Sequence, residues 1–434
     1  MSVSNNIDKE QSMQKKIEFI VKAFLLSSPF LDMLTALALH VFKTDLTIGI
    51  VIRFLFLIFS VIYLFFFYQG KKKKLYKGFS LSLIIYILFF IGIVLVDKGS
   101  NALFYELKNV FKTFYFLFLL ISFSAMFEEK MDIVPKKYFS YMMFVYLLGI
   151  FIPSLLGIGF DTYEVTKKGS LGFFNSANEV GGIISILMPF FFLNLYKDNN
   201  IIKSMFGLGI LLYVLLSMGT KTPLLTFIII LTCYLLIFLY KMIKKREYKK
   251  VLGISAIFIT MIFCLSLLIP KTTFYKNIKI HLDFLKVDKV TDIFKSEELV
   301  DHFIFSSRLK FMKNSVNYYN KAPLVEKLGG IGYIEGYGTD KVSLKMVEMD
   351  YVDIFLRQGI VGFTIYMVIY LYFLIMAVKR YLESKSFTKK VTYLLACFLT
   401  ILLSFFTGHI IMAPAVSVLV VLILTAKDKK GELI

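Results

Sequence analysis

The stretch TIGIVIRFLFLIFSVIYLFFFYQ, residues 47–69, carries one charged side chain, Arg53, and is followed after Gly70 by Lys71, Lys72, Lys73 and Lys74. A helix needs about 20 mainly apolar residues to cross the hydrocarbon of a bilayer. This run is long enough, and the lysine cluster behind it is the mark of a cytoplasmic end. The same alternation of apolar run and basic punctuation extends over the chain. It predicts spans at 19–41, 47–69, 79–97, 108–127, 139–158, 180–196, 202–219, 223–240, 251–269, 351–378, 391–408 and 410–426. The fold class is therefore an all-α integral membrane protein with about twelve transmembrane helices.

Composition agrees. The 434 residues are 58% hydrophobic and 17% aromatic, with 47 Phe, 26 Tyr and no Trp. Mean hydropathy is +0.73. Soluble domains lie nearer 45–50% apolar. Without Trp, an interfacial aromatic belt must be built from Tyr. The net charge of +20 does not point to nucleic acid, because the basic residues sit in short clusters between apolar runs rather than on one face of a soluble domain. Lys71 to Lys74, then Lys241, Lys244, Lys245, Arg246, Lys249 and Lys250, then Lys379 and Arg380, then Lys427, Lys429 and Lys430 all fall on one side of a twelve-span arrangement. That side is the cytoplasm, and both termini lie there. The polar residues 1–18, and Pro29 and Asp32 in the first apolar run, do not read as a cleaved signal peptide.

Between spans nine and ten, residues 270–350 form one large extracytoplasmic loop whose acids and bases nearly balance. A loop of that length is functional when ordered. Leu309, Met312, Val316 and Tyr319 recur at helical spacing behind Ser306 and Ser307, predicting a short amphipathic helix capped by serine. The domain plan is 1–269 for nine spans, 270–350 for the loop, and 351–434 for three spans and a cytoplasmic tail. Cys233, Cys264 and Cys397 lie in apolar runs and read as core or lipid-facing residues. His40, His281, His302 and His409 are scattered and form no metal-ligand set.

Only five of the 50 basic residues are Arg. Lysine is the default here, so each arginine asks why a planar fork is needed. Arg246 and Arg380 belong to cytoplasmic clusters. Arg53 and Asp32 read as a structural charge pair joining the first two spans. Arg357 lies in the outer third of span ten, where it either snorkels or faces an outer cavity. Arg308 opens the loop helix, where it either binds a pyrophosphate at the membrane surface or is simply solvated or headgroup-bound. Lys221, in the turn Ser217–Pro223, runs against the inside bias and either neutralises a lipid phosphate or snorkels. Asn175 and Asn178, at i and i+3 before span six, can share a helical face and contact sugar hydroxyls, or cap the helix. Glu348, Asp350 and Asp353 at the mouth of span ten offer a general base or balance Lys341 and Lys345. Gly329-Gly330-Ile331-Gly332-Tyr333 lacks the strand–helix unit of a dinucleotide site and reads as a tight re-entry loop.

Four of these pieces come in a familiar order: Gly172, Asn175 and Asn178; Ser217 to Lys221; Ser306 to Arg308 followed by Gly330 and Gly332; and Gly359 with Gly362. In that order the chain resembles the O-antigen ligase and polysaccharide polymerase superfamily of bacterial membrane glycosyltransferases. The first two spans, with Asp32 and Arg53, are similar to Gram-positive members. The resemblance implies a GT-C-like fold and an inverting, metal-independent transfer on the outer face of the cytoplasmic membrane. It implies an undecaprenyl-pyrophosphate-linked glycan as donor, a glycan acceptor, no cofactor, and work beside a polysaccharide flippase and a chain-length regulator. Arg308, Lys221, Glu348 and Asp350 would be catalytic; Asn175, Asn178 and Arg357 would bind substrate. The chain departs from the family in having Lys221 where arginine is usual, and Glu348-Met349-Asp350 where His-Asn is usual, so the base would be a carboxylate. The expected function is polymerisation of cell-surface polysaccharide. The alternatives are ligase-type transfer to a surface acceptor, transport of lipid-linked sugars, and a noncatalytic role in an assembly complex.

Overall fold

The protein is described here by a computed structural model covering residues 2–44, 47–163, 167–197, 200–249, 252, 255, 267, 269–335, 342–343, 345–427 and 431–433. In chain order the helices are α1 (Ser2–His40), α2 (Ile48–Ile62), α3 (Lys73–Lys98), α4 (Ser100–Glu128), α5 (Tyr138–Leu156), α6 (Ala177–Lys197), α7 (Ile201–Met218) and α8 (Lys221–Lys244). They continue with α9 (Thr273–Phe284), α10 (Glu297–Ile304), α11 (Arg308–Lys321), α12 (Leu324–Gly329), α13 (Asp350–Glu383), α14 (Phe387–Phe406) and α15 (Pro414–Thr425). The only strands among the described residues form two small antiparallel pairs, Phe160–Asp161 with Ser170–Gly172 and Ile334–Glu335 with Val342–Ser343.

Among the described residues nine helices are long and apolar enough to cross a membrane, and α7 and α15 are shorter apolar helices. The expected span at 251–269 falls largely outside the described residues, as does Cys264. The expected span at 410–426 contracts to α15, whose 12 residues reach only about 18 Å. Its start is fixed by Pro414 in the first helical turn, a position that needs no backbone N–H.

Two compact units result: Met1–Tyr138 with Ile304–Ile434, and Phe139–Phe303. This division cuts across the linear one, because residues 270–303 belong to the second unit and 304–350 to the first. The first unit is organised on α4. Its run Thr113–Phe123 is buried at every residue, the pattern of a helix enclosed on all sides. α15 is buried from Ala415 to Thr425 and packs on α4, as does α3. In the second unit α6 is the most enclosed candidate span. It packs on α8 where Gly181 leaves room for Pro223.

Candidate functional site

In the first unit, Gly359 (φ 63°, ψ −173°) breaks α13. The break releases the carbonyls of Leu356 and Arg357 from their usual partners one turn on, and the loop after α12 takes them. Ile331 N and Gly332 N donate to those carbonyls, each at 3.2 Å. Gly330 must be glycine, because its φ is 103° and a Cβ would collide with the Arg357 carbonyl. Gly362 leaves space for the Tyr86 hydroxyl, which donates to Gly329 O at 2.9 Å and Gln358 O at 2.7 Å. Glu106 accepts from Tyr333 N (2.8 Å), Ile334 N (3.0 Å) and Lys98 Nζ (2.9 Å). Buried backbone must find such partners. The Gly-x-x-Gly span and the Gly-rich loop are thus two halves of one lock.

Arg357 belongs to that lock. It is fully buried, and donates to Gly332 O at 3.1 Å and Lys345 O at 3.0 Å. Expected in the outer cavity or snorkelling to the surface, it instead fastens loop backbone in the interior. Asp353 reaches back over the start of α13 to accept from Val347 N (3.0 Å) and Glu348 N (2.8 Å). It satisfies backbone amides of the segment that leads into that helix.

Arg308 is placed differently. It is 8% exposed. Nη1 donates to Phe406 O at 3.1 Å and Nη2 to Glu348 Oε2 at 2.9 Å, while Nε is buried without a hydrogen-bond partner among the described residues, as are the Nε atoms of Arg53, Arg357 and Arg380. Nε and Nη2 share one edge of the guanidinium, the edge that takes a phosphate or carboxylate with two parallel bonds. Among the described residues only one nitrogen of that edge is engaged, and by a carboxylate whose side chain is 41% exposed. Ser306 (φ 54°), Ser307 (φ 67°) and Glu348 (φ 63°) all hold left-handed backbone, which is uncommon for non-glycine residues. The expected serine cap is absent: Ser307 stands at the N-cap without a capping bond, since its left-handed backbone serves to turn the chain into α11. The buried face of α11 is Arg308, Ser315 and Tyr319, so Val316 of the expected apolar stripe is left at the exposed edge.

Asp350 is wholly buried. Its Oδ2 accepts from Ile410 N at 2.8 Å and Ile411 N at 2.9 Å, and its Oδ1 lies 3.2 Å from His409 Nδ1. The carboxylate has no open oxygen to receive a substrate proton, which corrects its direct assignment as base. His409 was not singled out in the sequence. The available signal was a Gly408-His409 pair in a break between apolar runs.

In the second unit Gly219 ends α7 in the left-handed conformation (φ 68°) and Lys221 opens α8. Lys221 Nζ donates to Phe303 O at 2.5 Å, sits 3.5 Å from the centroid of the Phe303 ring and lies 3.3 Å from His281 Nδ1. Asn277, one turn before His281 on α9, donates to Lys168 O (2.6 Å) and Gly219 O (3.2 Å). Burial first, then the charges of Lys167, Lys221 and His302, push the His281 imidazole down to about 4. It is neutral at physiological pH and accepts from the lysine. Asn175 and Asn178 are both exposed. They do not share a helical face as expected, because Ser176 caps α6 through Glu179 N at 3.3 Å and leaves Asn175 outside the helix. Back in the first unit, Asp32 and Arg53 are joined by a salt bridge between α1 and α2.

The model of a family described as O-antigen ligase like membrane protein matches residues 14–292 and 286–427. The chain belongs to that family. No curated protein matches it. O-antigen ligase-like proteins are membrane glycosyltransferase-like ligases, so a glycan-transferring membrane enzyme is the frame into which these residues fit. The family match spans both the Arg308 corner and the Lys221 turn.

Proposed function

We propose that this O-antigen ligase-like protein lengthens a cell-surface polysaccharide on the outer face of the cytoplasmic membrane, using undecaprenyl-pyrophosphate-linked saccharide as donor. The observation that carries the reading is the half-filled guanidinium edge of Arg308. A pyrophosphate oxygen pair displaces Glu348 from Nη2 and engages the unpartnered Nε, and fixed positive charge then meets the negative charge that develops as the anomeric C–O bond breaks. The acceptor hydroxyl attacks the anomeric carbon from the opposite side, and the electron pair of the broken bond leaves on the lipid pyrophosphate. Because this donor carries its own leaving group, no nucleotide sugar is needed. Lys221 is kept as a second candidate cation within its own unit.

The test is an assay with purified protein and undecaprenyl-pyrophosphate glycan. Wild type should lengthen the glycan. Arg308→Ala should lose on the order of 10²–10³-fold in kcat, and Arg308→Lys should recover little, because one ammonium does not replace a fork. Glycan of unchanged length with every acceptor, together with passage of the lipid-linked substrate across a vesicle, would replace this reading by transport.

A further inference from the structure

The carboxylates expected to serve as base are both occupied, Asp350 by three contacts and Glu348 by Arg308. What Asp350 holds is an imidazole. Residues 407–413 form an irregular turn between α14 and α15, strapped to the start of α13. A parallel bridge joins Met349 to Gly408, and two amides of the turn close on Asp350 Oδ2 at 2.8 and 2.9 Å. With Oδ2 saturated, Oδ1 is the acceptor for His409 Nδ1 at 3.2 Å. That network places the ring proton on Nδ1 and the lone pair on Nε2. Nε2 makes no hydrogen bond among the described residues, and 28% of the His409 side chain is exposed while Asp350 exposes none.

A buried acid, an imidazole fixed by it and an open ring nitrogen are the parts of an oriented general base. The dyad also lies beside the leaving-group site. Arg308 Nη1 bonds the carbonyl of Phe406, three residues before His409, a stretch that spans at most about 11 Å. The charged groups around the ring are Asp350 and Asp353 from α13 and Glu348 from the segment before it, with Arg308 of α11 reaching them through Glu348.

We propose that His409, held by Asp350, takes the proton of the acceptor hydroxyl. This rests on the glycan-transfer reading above and names the base for it. As the acceptor oxygen bonds the anomeric carbon, its O–H proton passes to His409 Nε2, and the electron pair of the broken glycosidic bond departs on the lipid pyrophosphate. The imidazolium is balanced by the Asp350 carboxylate and returns its proton to water once product leaves. The imidazole comes from the turn after α14, across a contact that no local motif reveals.

Burial pulls the His409 pKa down, but the hydrogen bond to Asp350 and the charges of Asp350, Asp353 and Glu348 outweigh it, and the net shift is upward. Transfer should therefore rise with pH through a limb above the ordinary histidine value. In the glycan-lengthening assay, His409→Gln is expected to lower kcat by about 10²–10⁴-fold with donor KM within a few-fold, and to abolish that limb. Binding of undecaprenyl pyrophosphate should survive in His409→Gln and fail in Arg308→Ala, which separates the base from the phosphate anchor. His409→Gly with added imidazole gives a second route, with partial rescue of rate expected. Asp350→Asn, a positioning change, should move the limb to lower pH. Wild-type transfer with His409→Gln within threefold of it, or a pH limb that persists in that variant, overturns the base assignment and leaves the glycan-transfer reading standing. Absence of transfer by wild type removes both.

Discussion

Two histidines, one in each unit, have surroundings of opposite sign. His409 is ringed by Asp350, Asp353 and Glu348. His281 is ringed by Lys167, Lys221 and His302. The imidazole is raised in one place, where the hydrogen bond and anions outweigh burial, and depressed in the other, where burial leads and nearby cations add to it. The first is built to take a proton and keep its charge neutralised. The second stays neutral and presents a lone pair that holds the Lys221 ammonium. Charge of one sign around a ring separates a proton acceptor from a bracket.

The largest effect that could break this contrast is on rate. His409→Gln should lose about 10²-fold or more, whereas His281→Gln should lose less than about tenfold, because glutamine can still accept from Lys221. Equal losses, measured as kcat in the glycan assay, would erase the distinction between base and bracket. The next effect is on stability. Lys221→Met removes the donor to Phe303 O and the ring contact, and should cost about 1–2 kcal/mol, read as a lower unfolding temperature in detergent. An unchanged Tm would mean that the lysine is held only by solvent.

Acid should sharpen the comparison further. His281 is held near 4 when folded and titrates near 6.5 when free, so between those values the unfolded chain binds more protons and folding weakens as pH falls. The loss should be on the order of 1–2 kcal/mol by about pH 5, and His281→Gln should flatten it. His409 gives the smallest effect, with the reverse sign. Its folded pKa is raised, so its contribution is fully present below the free histidine value and fades as pH rises through the folded one. Activity should climb over the same interval. Tm and kcat moving in opposite directions there, and only with His409 present, is the signature of the dyad.

Much of the scaffold was readable from local pattern. The long apolar runs became helices because hydropathy acts on each segment alone, and Arg53 found Asp32 because a charge in a span needs a partner. The Gly-rich stretch reads as a loop, and residues 330–333 are one. That its amides would fill the carbonyls freed at Gly359 was not readable, since the two glycine motifs are joined only by packing. Other expectations failed for a common reason. Arg357 and Asp350 carry the residue types of a site, but burial gave them backbone to satisfy. Val316 fitted the helical period, yet the packing of α11 turned its Arg308, Ser315 and Tyr319 face inward.

The sequence by itself determined that this chain is a helical membrane protein of the O-antigen ligase-like family, because span length, basic punctuation and short motifs are properties of consecutive residues. Only the tertiary structure decided which charged side chains are fasteners and which keep an open atom. That depends on contacts such as His409 to Asp350, 59 residues apart, and on which oxygens and nitrogens the folded backbone has already claimed.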